Sequence, residues 1–108
     1  VQEGANVKVA IMNNGYLGMV RQWQEFFFEK RYSGVKMVSP DFVKLSEAHG
    51  VPARRVTKPE EIQASIEWAR KTAGPVVLEF RVEQEEAVYP MVPAGAALDQ
   101  MLQRPLKA

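Results

Sequence analysis

The apolar residues change period at Asn13-Asn14-Gly15, and that change limits the fold more than any other feature of the chain. Before it, Val7, Val9 and Ile11 alternate with Lys8 and Ala10, a repeat of two that predicts a short, mostly buried strand. After it, Val20, Trp23 and Phe27 fall at i, i+3 and i+7 with Met19 and Phe26 beside them, which predicts an aromatic-rich helix over 17–30. A strand that runs through a glycine turn into a helix is the start of an α/β unit.

The rest of the chain continues the alternation. Residues 31–38 hold Ser33-Gly34 and no regular period, so they predict a loop. Ser39-Pro40 offers a helix cap followed by a first-turn proline, and Phe42, Leu45 and His49 share one face until Gly50. Residues 51–56 predict a short strand that Pro52 confines to a strand start or a sheet edge. Thr57-Lys58-Pro59-Glu60 reads as a capping box, with Thr57 accepting from first-turn amides and Glu60 reaching back. Ile62, Ile66, Ala69 and Ala73 then line a helix that Gly74-Pro75 ends. Residues 76–82 form the clearest strand, an apolar start with Glu79, Arg81 and Glu83 alternating after it. Beyond Gln84 only 97–103 predicts a short helix.

The order strand, helix, helix, strand, helix, strand predicts an α/β fold with a mainly parallel sheet flanked by helices. Ligands gather beyond the carboxyl ends of strands in such sheets, and the first strand delivers Asn13-Asn14-Gly15-Tyr16 there. No internal repeat or low-complexity linker divides the chain. Its 108 residues suit one domain or part of one. Val1 stands where Met would open a chain, and Val1-Gln2-Glu3-Gly4-Ala5 reads as a helix tail meeting a Gly stop, which predicts a piece of a longer protein.

Fourteen Lys and Arg against thirteen Asp and Glu leave no basic surplus for a nucleic-acid backbone or an anionic membrane surface. No apolar run approaches the roughly 20 residues of a membrane span. The absence of cysteine removes disulfides and thiolate metal sites, in keeping with a cytoplasmic protein.

Two adjacent amides at a strand end, with Gly15 and Gly18 following, gather oxygen and amide groups that suit a hard cation such as Mg²⁺. The amino terminus of the next helix can receive phosphate oxygens. On the pattern alone an ordinary Asn-Gly turn remains the simpler reading.

Specific runs shift that balance. Val9-Ala10-Ile11-Met12-Asn13-Asn14 resembles the closing part of the thiamine-diphosphate motif, whose opening Gly-Asp-Gly is not in this chain. The run Gly18-Met19-Val20-Arg21-Gln22-Trp23-Gln24-Glu25, then Phe27 and Arg31-Tyr32-Ser33, resembles the large catalytic subunit of the acetolactate (acetohydroxyacid) synthase family. Pro40-Asp41-Phe42, Gly74-Pro75-Val76 and Pro90-Met91-Val92-Pro93 follow in that family's order, so the likeness covers nearly the whole chain. The Gly-Met-Val-x-Gln-Trp run separates it from pyruvate decarboxylases and oxidases.

The resemblance implies the carboxyl-terminal part of a thiamine-diphosphate-binding domain, with an α/β core over 1–83 and a segment near the active-site entrance over 84–108. It implies Mg²⁺ ligation by the Asn14 side chain and the Tyr16 backbone carbonyl, with the motif's absent Asp as third ligand and Asn13 supporting the turn. Gly18 and Met19 would lie against the cofactor. Val20, Trp23 and Ala94 would line the substrate approach, Trp23 favouring the second 2-keto acid. Tyr16 occupies a variable position, which matters little if only its backbone ligates.

The implied reaction decarboxylates pyruvate and condenses the product with a second 2-keto acid, toward valine, leucine and isoleucine. The cofactor supplies that chemistry and the protein orients it and excludes water. No catalytic residue falls in this chain, since the family's activating glutamate belongs to a neighbouring subunit's amino-terminal domain. The resemblance further implies a homodimer or higher oligomer, with a regulatory small subunit in some members. FAD, where members carry it, would bind outside this segment.

Each site residue also has a plainer reading. Met19, Val20, Trp23, Phe26 and Phe27 at helical spacing are ordinarily core. Lys30 and Arg31 near a helix end offset its dipole, and His49 in a last turn does the same more readily than it acts as a base. Glu60 and Glu61 read as cap and first-turn charges, and Glu83, Glu85 and Glu86 as a solvated stretch. No Ser, His, Asp constellation is present to argue from. Two other classes stay open: another thiamine-diphosphate decarboxylase or oxidase, and a non-catalytic α/β module whose aromatic helix is an oligomer contact.

Overall fold

In the computed structural model, which describes residues 1–105, the chain runs β1 (Lys8–Asn13), α1 (Gly18–Phe27), α2 (Phe42–Ala48), β2 (Ala53–Val56), α3 (Ile62–Lys71) and β3 (Val76–Arg81). This is the predicted order, and all three strands are parallel. The sheet order is β1-β3-β2, so the last strand is the centre and the first two are edges. β3 is apolar at four of its six residues, as expected of a parallel strand covered on both faces.

Val76, Leu78 and Phe80 alternate toward α3, where Ala69 and Trp68 complete the core cluster. The opposite face carries Glu79 and, in register beside it, Ile11 of β1 and Arg55 of β2. α2 packs over β2 and β3 on that side. Gly50 and Gly74 close α2 and α3 with φ of 72° and 79°, the left-handed geometry glycine adopts without strain. Ala53–Val56 begins directly after Pro52 and lies at an edge, where a residue without an N–H is tolerated.

Several expectations are corrected. β1 is an edge strand, and Val9 and Met12 are exposed instead of buried, because only β3 pairs with it. Residues 1–5 form a turn, not a helix tail: Gly4 N–H donates to the Val1 carbonyl at 3.0 Å, and Gly4 has a φ of 65°. The cap of α2 is Asp41, not Ser39. Its carboxylate accepts from the amides of Val43 and Lys44 at 3.1 and 3.2 Å, satisfying two of the helix's orphan donors with one charged group.

At α3 it is Glu61, one residue beyond the expected Glu60, that reaches back, accepting from the amides of Thr57 and Lys58. A tight 3-10 turn at Pro59–Glu61 advances the box by one position. Those two amides, Thr57 first, hold the Glu61 carboxyl below its ordinary value. The buried face of α3 carries Ser65 and Ala69, while Ile62 and Ile66 are exposed. The helix predicted over 97–103 shortens to a 3-10 turn at Leu98–Gln100.

The largest correction concerns α1. Its apolar stripe of Met19, Val20, Trp23 and Phe27 is exposed, and its buried residues are Arg21 and Gln22. The plain-core reading therefore fails for that stripe. Arg21 places its guanidinium between the Tyr16 and Tyr32 rings, 5.0 and 4.7 Å from their centroids, and donates to the Gln84 carbonyl at 3.0 Å and to the Glu85 carboxylate. Gln22 bonds the backbone of Val88. Stacking and hydrogen bonding offset part of the cost of burying these polar groups, although the buried Arg21 Nε has no partner among the described residues. The residues after Gln84 are thereby strapped along α1; the last three positions of the 84–108 segment lie outside the described residues.

Candidate functional site

The carboxyl end of β1 folds into two consecutive side-chain-closed turns. Asn13 Oδ1 accepts from the Gly15 amide at 3.0 Å, and Asn14 Oδ1 accepts from the Tyr16 amide at 3.0 Å. Gly15 sits between them at a φ of 75°. Asn13 is buried and its Nδ2 donates to Glu79 Oε1 at 2.7 Å. Asn13 thus supports the turn from below, while Asn14 Oδ1 accepts a single hydrogen bond among the described residues, one fewer than an amide oxygen can take.

The loop at 34–37 clamps the turn from the side. Met37 N–H donates to the Gly15 carbonyl at 2.9 Å, and Leu17 N–H donates to the Val35 carbonyl at 2.8 Å. Val35 is 2% exposed, which anchors that loop. Between these two bonds the Tyr16 carbonyl receives no hydrogen bond from any described residue, and Tyr16 is only partly buried. α1 begins two residues later with no side-chain cap and no acidic residue in its first turn. Its first amides and positive dipole end therefore remain available to an anion.

Gly18 opens α1 against Asn14. A Cβ at Gly18 would lie 3.2 Å from Asn14 Nδ2, tighter than ordinary van der Waals contact. A side chain there obliges the Asn14 amide to give by a few tenths of an ångström. Met19 and Val20 follow on the exposed stripe, and Trp23 stands one turn further along.

Trp23 lines an apolar groove of about 490 Å³ with Phe27, Phe28, Met91, Val92 and Ala94. The fold thus brings Trp23 and Ala94 together, although 71 positions separate them in the sequence. Val20 is one turn away and outside that lining. Sequence reasoning assigned Phe28, Met91 and Val92 no place in the site; for Met91 and Val92 the signal was the Pro90-Met91-Val92-Pro93 run, which entered only as part of the family likeness.

Glu79 was also missed as a site element. Its carboxylate has no exposed surface and pairs with Arg55 Nε at 2.7 Å and Arg81 Nε at 3.1 Å. Burial pushes its pKa up, but hydrogen bonds from Arg55 and Asn13 and the charges of Arg55 and Arg81 outweigh this and hold it below the ordinary glutamate value. A charge at the centre of an apolar parallel strand was the available signal. Among the described residues no group of three or more His, Cys, Asp or Glu side chains is placed to hold a metal. What this stretch itself can offer a cation at the turn is amide and backbone oxygen, which suits Mg²⁺. No helix among them is long and apolar enough to cross a membrane.

Residues 1–80 match the family model of the thiamine pyrophosphate enzyme C-terminal TPP-binding domain. The mitochondrial acetolactate synthase catalytic subunit of Saccharomyces cerevisiae is 46% identical over 102 residues, which is 94% of this chain and 15% of that protein. The acetolactate synthase large subunit of Corynebacterium glutamicum is 50% identical over 101 residues, 88% of this chain and 16% of that protein. The chain thus spans less than a fifth of the length of these relatives. Among solved structures, the thiamine diphosphate-dependent 4-hydroxybenzoylformate decarboxylase of Rhodococcus jostii RHA1 superposes with a TM-score of 0.71 at 27% identity, over 80% of this chain and 16% of that one.

Proposed function

Given that the chain belongs to the C-terminal TPP-binding domain family of thiamine pyrophosphate enzymes, we propose that it serves in an acetolactate synthase catalytic subunit. Such a protein uses thiamine diphosphate and Mg²⁺ to decarboxylate pyruvate and condense the product with a second 2-keto acid. Branched-chain amino acid synthesis is the process this serves. The identity to acetolactate synthases over nine-tenths of the chain favours this reading over a decarboxylase or oxidase.

The observation that carries the site is the open Tyr16 carbonyl beside Asn14 at the tip of β1, ahead of an uncapped helix. In this reading Tyr16 O and the open lone pair of Asn14 Oδ1 are Mg²⁺ ligands, and the first amides of α1 meet the diphosphate. Gly18 and Met19 lie against the cofactor. Val20, Trp23 and Ala94 border the approach of the 2-keto acids, and the groove beneath Trp23 supplies the apolar wall that excludes water. The cofactor, when bound, supplies the electron sink; residues of this chain bind and orient it. In this reading residues 1–83 are the α/β core that carries the half-site, and the described part of the 84–108 segment, 84–105, lies near its entrance.

The oligomer, a regulatory small subunit, FAD bound outside these residues and a cytoplasmic location complete the proposal. The test is acetolactate formation from pyruvate by the full-length natural protein, with and without thiamine diphosphate and Mg²⁺. Loss of product without either one, and weakened Mg²⁺ dependence in Asn14→Ala, are expected. Acetaldehyde as sole product, or an Asn14→Ala protein with unchanged Mg²⁺ dependence, would overturn it. The 108 residues by themselves are expected to form no acetolactate.

A further inference from the structure

Beneath the turn lies a buried charge that the proposed reaction does not use. Glu79 accepts from Asn13 Nδ2 on one carboxylate oxygen and from Arg55 Nε on the other, each at 2.7 Å. Arg55 continues through Nη2 to Asp41 Oδ1 at 2.8 Å, and that same oxygen caps α2. One line of paired groups therefore joins the cap of α2, the edge strand β2, the central strand β3 and the tip of β1. Replacing a buried ion pair by apolar groups often leaves stability unharmed, so the pairing by itself does not explain the charge.

Geometry offers an explanation. Every group that faces Glu79, from Asn13, Arg55 and Arg81, is a donor, and an ionised carboxylate is acceptor only. It therefore sets which way the Asn13 amide points: Nδ2 down to Glu79 and Oδ1 up to the Gly15 amide. The flipped amide would set oxygen against carboxylate and nitrogen against N–H. The bend at Gly15 follows from Asn13, and the placing of Asn14 and the Tyr16 carbonyl follows from that bend. We infer that Glu79 is a positioning residue for the cation turn, acting through Asn13. The inference rests on the cofactor reading above.

The test measures Mn²⁺ bound in the presence of thiamine diphosphate, by electron paramagnetic resonance on the full-length natural protein. Glu79→Gln keeps the size of the side chain but turns an NH₂ toward a donor, and is expected to weaken Mn²⁺ binding by about tenfold or more in folded protein. Asn13→Ala is expected to weaken it comparably, and the two changes together no further. A merely structural Glu79 would lower the melting temperature and leave Mn²⁺ affinity of the folded protein unchanged, which would overturn the inference. Losses that add in the double variant would overturn it too. If Glu79→Gln fails to fold, Glu79→Asp keeps an ionised carboxylate but shortens the side chain by one methylene and so withdraws it from Asn13 Nδ2. It is expected to weaken Mn²⁺ in the same direction; unchanged affinity there would again refute the coupling. Unchanged binding in Asn14→Ala would instead defeat the underlying cofactor reading.

Discussion

Gln22 holds the backbone of Val88 at both ends, its Oε1 accepting from the Val88 amide at 2.7 Å and its Nε2 donating to the Val88 carbonyl at 3.1 Å. A side-chain amide paired with one peptide unit imitates a strand partner, and it fixes where the segment after β3 crosses α1.

Gln22→Leu is expected to loosen that crossing. Both Val88 groups lose their partner, so the Val88 amide should exchange with solvent at least about tenfold faster, as each lost bond is worth about 1 kcal/mol. Hydrogen exchange read at that amide checks it, with the amides of β3 as the unchanged reference.

Gly18→Ala should separate stability from binding. Alanine is favoured over glycine in a helix by about 1 kcal/mol, so the melting temperature is expected to hold or rise. The added Cβ meets Asn14 Nδ2 at 3.2 Å, so Mg²⁺ and thiamine diphosphate affinity should fall. Parallel melting curves and cofactor titrations would show the two effects moving in opposite directions.

Trp23→Leu is expected to change selectivity more than stability. Trp23 is 45% exposed, so its truncation should cost less than about 1–2 kcal/mol, well short of a buried tryptophan. The ratio of products formed from pyruvate alone and from pyruvate with 2-ketobutyrate should shift in the full-length protein. An unchanged ratio would remove Trp23 from the substrate approach.

Glu79 also predicts an acid limb. Its folded pKa is held below the ordinary glutamate value, so its contribution to stability is present above that value and is lost as pH falls through the folded pKa. Arg55, Arg81 and Asn13 face it, and Asp41 lies beyond Arg55. Glu79→Gln should therefore flatten the decline of stability at and below the ordinary carboxylate range, measured by denaturant melts at successive pH values.

Asp41→Ala should lower stability through the lost cap, with a further loss from the unpaired end of Arg55. Asp41→Asn keeps an oxygen for the amides of Val43 and Lys44, and should restore the capping share only. Denaturant unfolding of the three proteins separates the two parts.

Much of this architecture is readable one residue at a time. The switch of period at Asn13-Asn14-Gly15, the Gly-Pro stop at Gly74-Pro75 and the proline ahead of β2 determine the element order, because strand pleat, helix turn and left-handed φ are settled within a few neighbouring residues. Asn13-Asn14 at a strand end is likewise legible as a turn beyond the sheet, where ligands gather in such folds. Tertiary structure alone decided which side of α1 faces inward, since periodicity groups Trp23 with Phe27 but does not say whether that stripe or Arg21 and Gln22 is covered. It also decided that β3 is central and that Glu79 lies beneath Asn13, 66 positions away. Such pairings depend on partners supplied by distant strands and on the desolvation of a charge among them, and neither quantity exists in a local window of sequence.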